Sequence, residues 1–326
     1  MTMKSSVVTL LDRQFEEGSL QRLYGLPTPP TMIATTSDGE QVATLCSNKV
    51  VVNGTTIPMR ATWLAWYDRY NIMSRTLVKE SLEVRLSTPT GDKIASWPIT
   101  PSTSIASSSE LGVLAFGSKD VRIVDVRSKR DLFLPLRTEI GSICFSRHTP
   151  YFLYFIQHLT GSISYQDLRK PKEPSIELQD LQDYDPDVGT LTVHSHEVLK
   201  GKVITYVTKT KIYGWTSSNE SGSDDSWSYQ FTHPILPGTC CEFLHRDFLI
   251  PTIDPKEQPW VPPIRENRIH LDIPYITWDK SGAKYLLSTS GPKPIGHSFL
   301  AGSHAMATTQ RGLVFAVGRI LYLLKY

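Results

Sequence analysis

Long hydrophobic runs are missing from this chain of 326 residues. No stretch approaches the roughly 18 consecutive apolar residues that a membrane-crossing helix needs. A dominant charge is missing as well: 34 Lys and Arg stand against 32 Asp and Glu, a formal net charge of +2. That excludes the whole-molecule basic field that drives non-specific nucleic-acid binding and leaves room only for a local patch. Cysteine is scarce, with Cys46, Cys144, Cys240 and Cys241 the only four. No pair has the C-x-x-C spacing of a zinc or redox site, and four cysteines in so long a chain do not make a disulfide framework. They read as thiols in a reducing compartment. Residues 1–11 carry one Lys and no small-residue cleavage site, so a secretory leader is not expected. The expected location is intracellular, in the nucleus, the cytoplasm or both.

Helical periodicity is scarce too. The nearest approach is 12–23, where Phe15, Leu20 and Leu23 are loosely spaced, and Gly18 interrupts it. Catalytic signatures are equally absent: there is no G-x-S-x-G elbow, no phosphate-binding G-x-x-x-x-G-K-[ST] loop, no G-x-G-x-x-G and no H-E-x-x-H. His194 and His196 alternate along a β-type run and could share a face toward a metal, but nothing signals a third ligand. No catalytic residue, cofactor or metal is expected. Two N-x-S/T tripeptides, at Asn53 and Asn219, are short enough to occur by chance.

What fills the chain instead is a series of short β-branched and aromatic runs, at 32–36, 41–45, 49–52, 62–66, 113–116, 121–126, 152–156, 203–207, 285–287, 313–317 and 320–324. Between them stand Gly, Asp, Asn, Ser and the 22 prolines, the residues of turns. Many short strands closely spaced imply an all-β sandwich, barrel or propeller and not a βαβ fold. Self-similarity decides between these. A unit of strand, polar turn, strand, small-residue gap and third strand recurs at 33–52, 111–125 and 143–168, and its first half recurs at 276–287. The ends of the third strands fall at Val52, Leu86, Val124, Gln166, Trp215, Leu271 and Leu323, between 34 and 56 residues apart. A four-stranded propeller blade takes about 40–45 residues. The expected fold is thus a β-propeller of seven four-stranded blades, with six or eight the alternatives, spanning 1–326 as a single domain. Residues 1–30 are expected to supply a closing strand, 7–11, alongside the C-terminal run 319–326. Trp63, Trp66 and Tyr67 followed by Asp68 and Arg69 read as blade core and its turn.

The segments Val121-Arg-Ile-Val-Asp-Val-Arg127 and Ser162-Ile-Ser-Tyr-Gln-Asp-Leu-Arg-Lys-Pro171 resemble the strand-ending W-D-x-R segment of WD-repeat β-propellers, with Val124 and Gln166 where tryptophan is usual. Asp38-Gly39 and Lys280-Ser-Gly282 sit where that family places a tight turn. The resemblance implies a non-enzymatic protein-interaction scaffold, a subunit of a larger assembly whose partners are other proteins. Asp125-x-Arg127 and Asp167-x-Arg169 further resemble the paired motif by which some WD-repeat substrate receptors dock on cullin-type ubiquitin ligases. A propeller enzyme or small-ligand propeller is the remaining alternative.

Three insertions are expected to be loops: the acidic 177–188, the low-complexity 216–227 and the proline-rich 254–266 around Trp260. A basic run from Lys119 to Arg137, with Arg169, Lys170 and Lys172 at a similar place in the next repeat, could form one patch for an acidic protein or a phosphate backbone. Aromatics for base stacking are thin there, which favours protein. The candidate partner-binding residues are Arg127, Arg169, Lys170, Lys172 and Trp260.

Overall fold

Every regular element of the computed structural model is a β-strand among the residues described, which are 20–325 apart from Ser37, 135–138, 147–148, 182–183, 185–189, 197–200, 208–210, 218–223, 231–241, 245–246, 250–274, 279–282, 289–290, 298–304 and 310. The strands pair into seven sheets among these residues. β1 (Leu20–Gly25) is followed by a first sheet of β2 (Met32–Thr35), β3 (Val42–Cys46), β4 (Lys49–Val52) and β5 (Thr55–Arg60). The second is β6 (Trp63–Trp66), β7 (Ile72–Val78), β8 (Ser81–Ser87) and β9 (Lys93–Pro98). The third is β10 (Ser104–Ser108), β11 (Val113–Gly117), β12 (Val121–Asp125) and β13 (Asp131–Leu134). The fourth is β14 (Ile140–Phe145), β15 (Phe152–Gln157), β16 (Ser162–Asp167) and β17 (Ile176–Asp180). The fifth is β18 (Thr190–His196), β19 (Gly201–Val207), β20 (Lys211–Ser217) and β21 (Asp224–Gln230). A five-stranded sixth sheet holds β22 (Glu242–Leu244), β23 (Asp247–Leu249), β24 (Tyr275–Trp278), β25 (Ala283–Ser288) and β26 (Gly291–His297). The seventh combines β27 (Met306–Thr309), β28 (Gly312–Val317) and β29 (Ile320–Lys325) with β1, which pairs antiparallel to β29 from Leu20↔Leu324 to Gly25↔Ile320.

The chain divides into two compact units. Residues Met1–Pro98, Ile235–Pro262 and Glu266–Tyr326 form the first, and Ile99–Pro234 with Pro263–Arg265 the second. In the first, β3 is buried at all five positions because its two faces serve two different sheets. Val42 and Cys46 join Val314, Ala316, Leu321 and Leu323 of the seventh sheet. Ala43 and Leu45 join Leu64 and Ile72 of the second. In the second unit β15 does the same, with Leu153 and Phe155 packed on Ile123 and Leu134 of the third sheet, and Tyr154 and Ile156 on Leu191, Ile204 and Tyr206 of the fifth. Strands buried on both faces read as unbroken apolar runs and not as alternating ones, which is why the inner strands stand out in the sequence. Each fully buried aliphatic or aromatic side chain contributes about 1.5–3 kcal/mol of burial free energy.

Hydrogen bonds fix how neighbouring sheets register. The Ile143 amide donates to Ser104 Oγ (2.9 Å) and the Leu191 amide to Ser142 Oγ (3.1 Å), so first strands of successive sheets are linked by one recurring bond. In the first unit Leu64 N–H donates to Met32 Sδ (3.2 Å) and Trp66 Nε1–H to the Ala34 carbonyl (3.1 Å). Trp66 packs beside the first-sheet core as a blade residue. Asp68 closes the following turn by accepting from the Tyr70 amide (2.7 Å), and Arg69 pairs with Asp38 (3.5 Å) and Glu40. Asn53 is a turn residue: with Gly54 it forms a two-residue hairpin at φ 48° and 84°, and its Oδ1 accepts from the Val42 amide (2.9 Å).

Several expectations change. Residues 20–23, the end of the helix candidate, are strand, because pairing with β29 and packing of Leu23 and Tyr24 on the core override local periodicity. The expected closing strand 7–11 lies outside the described residues, and β1 holds the edge of β29. Residues 177–180 belong to β17, where Ser162 Oγ–H donates to Glu177 (2.6 Å), and 216–217 and 224–227 belong to β20 and β21. The 254–266 segment, Trp260, Leu271, Cys240 and Cys241 lie outside the described residues. The sixth sheet departs from the four-stranded antiparallel pattern: it has five strands, and β23 and β24 run parallel.

Candidate functional site

In an antiparallel meander, connections alternate between the two ends of a sheet. The β10–β11 and β12–β13 connections therefore share one end of the third sheet, and β14–β15 and β16–β17 share the corresponding end of the fourth. The Val126 amide donates to the Gly112 carbonyl and the Leu168 amide to the Tyr151 carbonyl, both at 2.9 Å, tying the paired connections together in the same way.

Both Asp-x-Arg tripeptides sit at these ends. Asp125 Oδ1 accepts from the amides of Arg127 (2.8 Å) and Ser128 (2.9 Å), and Asp167 Oδ1 accepts from the amide of Arg169 (3.0 Å). The aspartate thus has a local job in each, folding the turn that follows the strand. The arginines differ. Arg169 grips Asp167 with Nε (2.9 and 3.1 Å) and one terminal nitrogen (2.6 Å) and stacks on Tyr151, 3.8 Å from its ring centre. Arg127 is exposed, and its side chain has no hydrogen-bond or ion-pair partner among the described residues. The Arg169 side chain holds the Asp167 carboxyl below the usual carboxylate range, and the Ser128 and Arg127 amides do the same for Asp125.

Where the third and fourth sheets meet at this end, a groove of about 330 Å³ opens to solvent. Leu111, Val113, Ile123, Leu132, Leu168 and Tyr151 supply its apolar lining, and Asp125, Arg130, Asp131 and Arg169 its charged edge. Leu111 and Leu132 are each 40% exposed and Phe133, next along β13, is 59% exposed. Both lining acids are committed within the fold, Asp125 as above and Asp131 by Arg122 (2.9 Å), and so is Asp167 behind Arg169. The exposed cations Arg127, Lys129, Arg130 and Lys172 lack ion-pair partners among the described residues, while Lys170 pairs with Glu173 (3.1 Å). The result is an apolar cleft under a positive rim.

Four of the five expected partner residues, Arg127, Arg169, Lys170 and Lys172, lie on the two flanking connections, and Arg169 lines the groove itself. Leu111, Leu132 and Tyr151 carried no sequence signal, because the groove exists only once two sheets are side by side. Gln166 was legible only as a substitute for tryptophan. It is buried, and its Nε2 donates to the carbonyls of Asp167 (3.3 Å), Lys170 (3.1 Å) and Glu173 (3.2 Å), holding the connection that presents Arg169.

No group of three or more His, Cys, Asp and Glu is placed to hold a metal among the described residues. His194 and His196 both lie on β18. Cys46 and Cys144 are free thiols, and burial pushes the Cys144 thiol up, away from a reactive thiolate. No described helix is long and apolar enough to cross a membrane.

No protein-family model matches the sequence, and no curated protein matches it. Solved structures do. Raptor of Chaetomium thermophilum superposes with a TM-score of 0.51 at 13% identity over 97% of this chain, which spans 30% of the Raptor chain. The WD40 repeats of RRP9 superpose at 0.50 and 9% identity, over 94% of this chain and 97% of that one. The Dos1 propeller superposes at 0.50 and 10% identity, over 94% of both. At such identities the likeness is one of fold, and it joins the seven sheets and the repeated strand-end turns in one conclusion. The chain has a β-propeller fold, the fold of these solved domains.

Proposed function

We propose that this protein is a non-enzymatic interaction scaffold, a propeller subunit of a larger nuclear or cytoplasmic assembly acting through 1–326 as one domain, and that the groove between the third and fourth sheets is a partner-facing surface. The observation that supports it is the unequal commitment of charge there. The two acids that line the groove, Asp125 and Asp131, are bonded within the fold, while cations on both connections stay exposed around apolar side chains that a solitary surface would cover, with Glu110 the one exposed acid on the β10–β11 connection. A protein partner suits this better than a nucleic acid, because Tyr151, the aromatic lining the groove, already carries Arg169 on its ring. The test compares tagged wild type with Arg127→Glu/Arg130→Glu, purified from native lysate over size exclusion at moderate salt. Wild type is expected in a stoichiometric complex and the variant alone, with the same melting temperature. A partner-free wild type would overturn the reading.

The equivalent turns at Asp125 and Asp167 favour one narrower version, a substrate receptor docking on a cullin-type ligase. Combining Arg127→Ala with Arg169→Ala then abolishes adaptor capture, and retained capture removes that version.

A further inference from the structure

We propose that the partner reaches this surface as an extended acidic–apolar segment that adds a fifth strand to the open edge of β13; this rests on the scaffold reading above. β13 is the outermost strand of its sheet, bonded only to β12. The Asp125 amide donates to the Arg130 carbonyl (2.9 Å), and the register runs Val124↔Asp131, Ile123↔Leu132, Arg122↔Phe133, Val121↔Leu134. Alternation along an antiparallel pair then turns the main-chain groups of Leu132 and Leu134 toward β12 and those of Asp131 and Phe133 outward. An incoming strand finds two amides and two carbonyls there.

Open edges are normally guarded, by proline or by charge. Here β5 carries Pro58, β26 carries Pro292 and Pro294, and β17 carries Glu177 and Asp180. β13 carries a single charge, Asp131 at its first position and held by Arg122, and offers Leu132 and Phe133 to solvent beyond it. Leu134 sits in the core shared with the fourth sheet, so Leu132, two residues earlier, faces the same way and lines the groove. A residue of the added strand opposite Leu132 therefore enters the groove, beside Leu111 and Leu168. The segment's charge follows from the rim: Arg130 leads into β13, Arg127 and Lys129 stand in the same connection, and the groove's own acids, Asp125 and Asp131, are already bonded within the fold. A carboxylate beside the apolar anchor completes the match.

The experiment pans a random peptide display library against the full chain. Enriched sequences are expected to pair acidic with apolar residues. Their binding is expected to weaken on the order of tenfold or more, 1.4 kcal/mol or more, with each of three variants. Phe133→Pro removes an outward N–H and no ladder bond, a change edge strands tolerate. Leu132→Lys leaves the backbone intact should the proline lower the melting temperature, and Arg130→Glu reverses the rim. Enriched peptides that ignore all three variants, or no enrichment, would overturn strand addition. A dimer of the wild type by light scattering that Phe133→Pro dissolves would overturn it too, by making a second copy the occupant. A lysate complex that survives Phe133→Pro would leave the scaffold reading standing and remove this one, whereas the absence of any complex removes both.

Discussion

Gln166 holds a surface in place from below. Its counterpart in the previous sheet, Val124, is fully buried and needs no polar function, because the short β12–β13 connection closes on itself through the Lys129 amide and the Asp125 carbonyl (2.8 Å). The longer β16–β17 connection cannot, and the buried Gln166 amide collects three of its carbonyls instead. Gln166→Leu keeps the volume and removes the donor, so it should cost about 1–3 kcal/mol in denaturant unfolding. It should also release Arg169 from Tyr151, seen as weaker protection of the 168–173 amides from exchange. An unchanged unfolding midpoint would show the connection to be self-supporting. At this scale the sequence was partly legible: Asp125 and Asp167 announced their turns through the Asp-x-Arg spacing, whereas the use of Gln166 depends on carbonyls that only the folded connection brings together.

Elements declare themselves in proportion to how deeply they are buried. β2, β3, β4, β11, β12 and β15 were readable as apolar runs because a neighbouring sheet covers each face. The outer strands β13 and β17 were not, since one edge and much of their side-chain area meet water. β26 was hidden by Pro292 and Pro294, residues that argue against a strand anywhere but at an edge, which is where it lies. Turn chemistry offers a test. The β7–β8 hairpin turns on Lys79 and Glu80 at φ 43° and 71°, a conformation that suits Asn-Gly, as found at Asn53-Gly54. Replacing Lys79→Asn together with Glu80→Gly should stabilise the protein by about 0.5–1 kcal/mol, read as a higher melting temperature. A lower one would mean that the side chains of Lys79 and Glu80 do more than decorate the turn.

For the molecule as a whole, the all-β propeller class was legible from the recurring strand units, and the groove was not, because it belongs to two sheets and to neither sequence repeat. The seventh sheet is the least local object in the fold, since Leu20 pairs with Leu324. Deleting residues 1–25 strips β29 of one of its two partners and leaves Leu321 and Leu323 without the cover of Leu23 and Tyr24. A drop in the melting temperature of the whole chain is expected, and an unchanged one would make β1 dispensable. The same pairing sets a clock on synthesis. β1 leaves the ribosome some 300 residues before β29 exists, a wait of roughly 15–60 s at about 5–20 residues per second. Throughout that interval Leu23 and Tyr24 have no seventh sheet to join, so the nascent chain carries an unpaired apolar strand that stays open to mispairing until β29 is made.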